Sequence, residues 1–205
     1  MKRCSLPRWL ATLALLACVS LARATSIIAP DFDRMVGSSD YIVRAVVKKV
    51  SSEWRTNPNK PGRGYIGTLV ELDVKEVIKG SPPSPLVLDL VGGRIGNREM
   101  TVDGAPKFTV GQESIFFVQG NGRQIIPLVG MSHGYYPVRR DERTGQDQVM
   151  RSNGQLLYSE KELTEPESAI GPAPARDPKA RPLTSADFAD RIRKSRNFSK
   201  RDLIE

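Results

Sequence analysis

The chain has 205 residues, 31 Lys and Arg against 23 Asp and Glu, a formal charge of +8, one His and two Cys. One histidine excludes a two-histidine zinc site, and two cysteines exclude a disulfide-dense scaffold. The positive balance raises nucleic acid as a partner, but its distribution along the chain argues against that reading.

Residues 1–8, MKRCSLPR, form a basic opening; residues 9–22 are an uncharged apolar run, and Ala22-Arg23-Ala24 places small residues where a signal peptidase reads. That order predicts a secretory signal peptide over 1–24, with a run shorter than the ~20 residues of a spanning helix. Leu15-Leu16-Ala17-Cys18 also approximates a bacterial lipobox, a second route that would acylate Cys18. Cleavage after Ala24 removes Cys4, Cys18 and four basic residues, lowering the charge from +8 to +4. Nucleic acid is then a poor partner, no thiol chemistry remains, and the chain is long enough for one sizeable apolar core.

Residues 30–37 predict a short helix, with Pro30 at its start, Asp31 and Asp33 in the first turn and Gly37 at its end. Next comes DYIVRAVVKKVSSEW, in which Tyr41, Val43, Ala45 and Val47 alternate on one face and Arg44 and Lys48 lie on the other. At Lys49 the inward phase meets a charge while Val50 is apolar, so the alternation slips by one, as at a β-bulge. Residues 65–80 repeat the pattern: Ile66, Thr68, Val70, Leu72 and Val74 make an inward row, then a slip puts Val77 inward instead of Glu76. Two slipped strands form a curved hairpin.

Further strands are expected at 85–93, 114–119, 123–130, 134–140 and 147–152, separated by Gly, Pro, Asn and Asp turns. GGRIGN at 92–97 lacks the Lys-Ser/Thr ending of a phosphate loop and is taken as a glycine turn. Short antiparallel strands with little helix predict a mainly β fold, a closed or partly open OB-like barrel over 25–160. Five prolines from Pro166 to Pro182 mark residues 161–183 as a linker, and Thr184 with Asp187, Phe188 and Ile192 predicts a basic helical tail over 184–205.

Ser39-Asp40-Tyr41-Ile42-Val43-Arg44-Ala45, a polar loop, a second long strand and Val77-Ile78-Lys79-Gly80 resemble the opening of netrin-like domains, including the tissue inhibitors of metalloproteinases. That resemblance implies an OB-type five-stranded barrel and covers residues 39–92. The layout is also similar to exported bacterial β-barrel proteins of no assigned function, through Gly92-Gly93, Gly104-Ala105-Pro106-Lys107-Phe108 and Gly111-Gln112-Glu113, out to about residue 140. Netrin-like inhibitors ligate zinc through an N-terminal cysteine, which a chain starting at Thr25 lacks.

Candidate chemistry is sparse. Ser132 and His133 are neighbours, but adjacency makes no dyad, and His133 has no evident activated nucleophile. The residues singled out for binding are Trp54, Arg55, Lys60, Arg63 and Tyr65, around the basic loop 55–64. Basic and aromatic groups on the loop joining two barrel strands suit single-stranded nucleic acid or an acidic glycan; export disfavours nucleic acid, which leaves an acidic glycan or an unidentified protein as partner. The sequence thus predicts an exported, non-catalytic binding or envelope-associated module with no cofactor. An envelope hydrolase is the competing class, and metalloprotease inhibition a third.

Overall fold

The computed structural model describes residues 30–56, 64–164 and 180–195. The expected signal peptide, Cys18, residues 165–179 of the proline-rich stretch and the chain beyond residue 195 lie outside these residues.

Helix α1 (Phe32–Ser38) starts where Asp31 accepts a hydrogen bond from the Arg34 N–H at 2.8 Å. It runs through Gly37 instead of ending there. The hydroxyls of Ser38 and Ser39 donate to the Arg34 and Met35 carbonyls and close the helix. Strands β1 (Tyr41–Thr56) and β2 (Gly64–Lys79) form the long hairpin. β3 (Leu86–Val91) pairs with β2, and β6 (Glu113–Val118), β7 (Tyr135–Arg140) and β8 (Asp147–Val149) extend the sheet on the other side of β1. The order is β3-β2-β1-β6-β7-β8, antiparallel throughout. Strands β4 (Gly93–Ile95) and β5 (Arg98–Met100) form a separate small hairpin where the sequence suggested only a glycine turn.

The β1–β2 register breaks three times. Lys48 is the extra residue on β1, and Lys75 and Ile78 are extra on β2. The slips expected near Lys49 and after Val74 are therefore present, and Val77 sits opposite Val43. Val77 nevertheless remains 46% exposed. β3 pairs with β2 only from Gly67 to Leu72, so Val77 lies beyond its cover.

Bulges curl the hairpin and give the sheet two faces with different fates. The concave face carries Tyr41, Val43, Ala45, Val47, Val70, Leu72, Leu88, Phe116 and Leu128 in one core. The convex face carries Arg44 and Lys48, but near β6 and β7 it is buried. There Ile42, Ile78, Ile115, Phe117, Tyr136 and Val138 pack under α1 and under α2 (Ser185–Lys194). Thr184 and Asp187 cap α2 reciprocally, as their spacing predicts, and Phe188, Ala189 and Ile192 are fully or almost fully buried. The described part of the expected tail is thus a wall of the core. It is tied further by the Leu183 N–H donating to Leu157 C=O at 2.7 Å and by the Val149 N–H donating to Leu183 C=O at 2.9 Å.

Strand pairing does not close the sheet into a barrel. Residues 123–130, expected as a strand, are turns: Pro127 has no N–H to give, and Leu128 forms only an isolated bridge to Val118. The segment still spans the opening. The Gln119 N–H donates to Pro127 C=O at 3.1 Å, Asn121 bonds the backbone of Asp89 and Val87, and the Val91 N–H donates to Ile125 C=O at 2.8 Å. No helix among the described residues is long and apolar enough to cross a membrane.

Candidate functional site

β6 accompanies β1 only from Tyr41 to Val46, so the far half of the β1–β2 hairpin projects past it. Side chains of that half alternate between the faces. On the concave face lie Val50, Ser52 and Trp54, opposite Val70, Thr68 and Ile66. On the convex face lie Glu53 and Arg55, with Tyr65 opposite Arg55.

This division separates the residues that the sequence grouped. The Arg55 stem crosses Gly67, where a Cβ would meet its Cδ at 2.9 Å. Its guanidinium is held by Asp89 at 2.7 Å and Glu53 at 3.0 Å. Arg55 therefore clamps β1 to β3 on the convex side and is not a loose cation. Tyr65 is half-buried beside it. Trp54 alone faces the concave side, 55% exposed, its indole resting where Gly64 has no side chain. Lys60 and Arg63 lie outside the described residues.

Sequence reasoning missed what meets Trp54. The β4–β5 hairpin folds back over the concave face and brings the Arg98 guanidinium to 5.8 Å from the centre of the indole ring. Gly93 makes that approach possible. Its φ of +131° suits glycine, and any Cβ there would overlap Thr68 Oγ1 and Ser52 Oγ. Those two oxygens are 2.9 Å apart, and Thr68 donates to the Gly92 carbonyl at 2.6 Å, pinning the root of the hairpin. The one available hint was the Gly92-Gly93 pair, which marks a close backbone approach as well as a turn.

Between the hairpin, the far half of β1–β2 and residues 101–108 lies a cleft of about 330 Å³. Val50, Leu90, Val102, Phe108 and Ile126 line it with apolar surface, while Ser52, Thr68, Glu99 and Lys107 supply polar groups. Phe108 anchors the loop, packing edge-on to Tyr135 at 5.3 Å and stacking on Phe116 at 6.3 Å. The volume falls in the range of small-ligand sites, apolar with a few polar groups.

Elsewhere, His133 lies in a single 3₁₀ turn, Met131–Gly134, beside Gly130, and Ser132 precedes it there. Arg44, on the face opposite the inward row, is only 23% exposed and pairs with Glu113 and with Asp147, the latter at 3.1 Å. Burial pushes the Tyr135 phenol above its ordinary value of 10.0. Among the described residues no group of three His, Cys, Asp or Glu side chains could hold a metal ion. No family model, no curated protein and no solved structure matches the chain.

Proposed function

We propose that the protein is an exported, non-catalytic binding module whose ligand surface is the concave cleft headed by Trp54 and Arg98, and that it binds an acidic glycan there. The observation that carries this reading is the exposed indole with a guanidinium against it, two residues along β1 from Ser52, which lines an apolar cleft of about 330 Å³. An indole offers a flat apolar face to a sugar ring, and a guanidinium offers a planar fork to a carboxylate. Lifting Arg98 from the ring to meet a ligand costs about 0.5–1 kcal/mol at so exposed a site, less than one charge-assisted hydrogen bond returns.

The finer architecture belongs to the same proposal: an OB-like, partly open barrel in which the irregular segment 119–128 stands in for a strand. Its support is the bulged hairpin, the bonds of that segment to β3 and the isolated bridge of Leu128 to Val118 of β6. OB barrels bind ligands at this kind of strand face and its flanking loops. Export rests on the order of residues 1–24.

The chain contains Trp9 and Trp54 alone, so a full chain carrying Trp9→Phe reports on Trp54 by fluorescence. Titration with polygalacturonate is expected to change its emission, more weakly at high salt and hardly at all for Arg98→Ala. A neutral dextran is expected to leave it unchanged. A flat titration with the acidic polymer overturns the proposal.

A further inference from the structure

The far half of β1 has a bare edge. The last bonds across that edge join Val47 to Gln112 and Gly111: the Val47 N–H donates to Gln112 C=O at 3.0 Å, and the Gly111 N–H donates to Val47 C=O at 2.8 Å. Beyond them β1 pairs only with β2, through to Thr56 opposite Gly64. Among the described residues no backbone group on the other edge of residues 49–56 has a strand or loop partner. A row of unpaired N–H and C=O groups is a template for another strand.

We propose that this edge pairs with the same edge of a second copy, antiparallel about a two-fold axis at Ser51, joining two sheets into one. The charges on the convex side select the partner and the register. With Ser51 opposite its own copy, Lys49 of each chain faces Glu53 of the other, twice by symmetry. Lys49 is exposed and has no ion pair among the described residues, and the Glu53 side chain is 55% exposed. A shift of the centre to Ser52 sets Lys49 against Arg55, and a shift to Glu53 sets that carboxylate against itself. The bulge at Lys48 ends the pairable stretch on one side, which also fixes its length.

A single strand pair buries less than the ~1,200 Å² of a stable interface, so the dimer is reversible and populated only at high protein concentration. The two-fold axis stands perpendicular to the sheet and leaves both concave faces on one side. The two Trp54 side chains are then roughly 20 Å apart along the paired strands.

The test uses the full chain with Cys4→Ser and Cys18→Ser as background. Opposed residues in such a pair have Cα atoms about 4.5–5.5 Å apart, within disulfide reach. Ser51→Cys is therefore expected to give a covalent dimer on mild oxidation, while Tyr65→Cys, on the neighbouring strand, stays monomeric. In sedimentation velocity Glu53→Lys is expected to raise the dimer dissociation constant at least threefold, and the double swap Lys49→Glu with Glu53→Lys to restore it. Circular dichroism verifies that each variant is folded; Lys49 and Glu53 are exposed. The inference is overturned by a monomer at every accessible concentration with no Ser51→Cys dimer above the control. Self-association indifferent to the charge changes overturns it too, as does an acidic peptide from another protein on this edge without self-association. Failure of glycan binding leaves this inference standing, because it concerns the strand edge and not the cleft.

Discussion

Phe188→Ala probes whether α2 is structural or a detached tail. Phe188 is 0% exposed, and its ring centre lies 5.2 Å from Tyr136, 6.0 Å from Phe117 and 6.0 Å from Phe32. Truncation removes the ring from the junction of α1, α2 and the convex sheet face, with little chance of collapse because each neighbour belongs to a different element. Such a core phenylalanine costs about 3–5 kcal/mol, a large share of the roughly 5–15 kcal/mol that holds a domain together. With a urea slope of about 2 kcal/mol per molar, the unfolding midpoint is expected to fall by roughly 2 M. Equilibrium urea unfolding followed by far-ultraviolet circular dichroism measures it. A shift within the ±0.5 kcal/mol of an ordinary surface site would refute the packing of α2 as a core wall.

Gly93→Ala forces a methyl group into Thr68 and Ser52 at a positive φ. It is expected to cost about 1–3 kcal/mol in a thermal melt, and Gly96→Ala, whose methyl meets nothing within 4 Å, less. Tyr135 keeps its proton more tightly folded than unfolded, so its contribution is intact below pH 10.0 and is lost as pH rises through its raised value. The urea midpoint should decline over that alkaline window, and less so in Tyr135→Phe. A double-mutant cycle on Arg44 and Glu113 should give a coupling of about 1 kcal/mol, since the pair is only partly buried; zero coupling would make the contact incidental.

Much of the β fold is legible because alternation and its slips are local. Lys49 meeting the inward phase betrays the Lys48 bulge, and Thr184 with Asp187 announces the start of α2 within four residues. What fails is what depends on distant cover. The exposure of Val77 follows from where β3 stops, and residues 123–130 look like a strand until Pro127 and the β3 backbone claim them. The stripe of Phe188 and Ile192 shows that α2 has an apolar face but cannot say that Phe117 and Tyr136 receive it. At the site, neighbouring Trp54 and Arg55 had to point to opposite faces by the period of two. Arg98 was invisible because only the folded-back hairpin brings it to the indole.

Amide chemical-shift mapping during titration with an oligogalacturonate tests most directly the proposed ligand surface on the concave face of the projecting hairpin. Shifts are expected at residues 50–54, 90–94 and 98–108, around Trp54, Arg98 and the cleft. Shifts confined to Arg55, Tyr65, Gly67 and Asp89 would place the ligand on the convex side and contradict it.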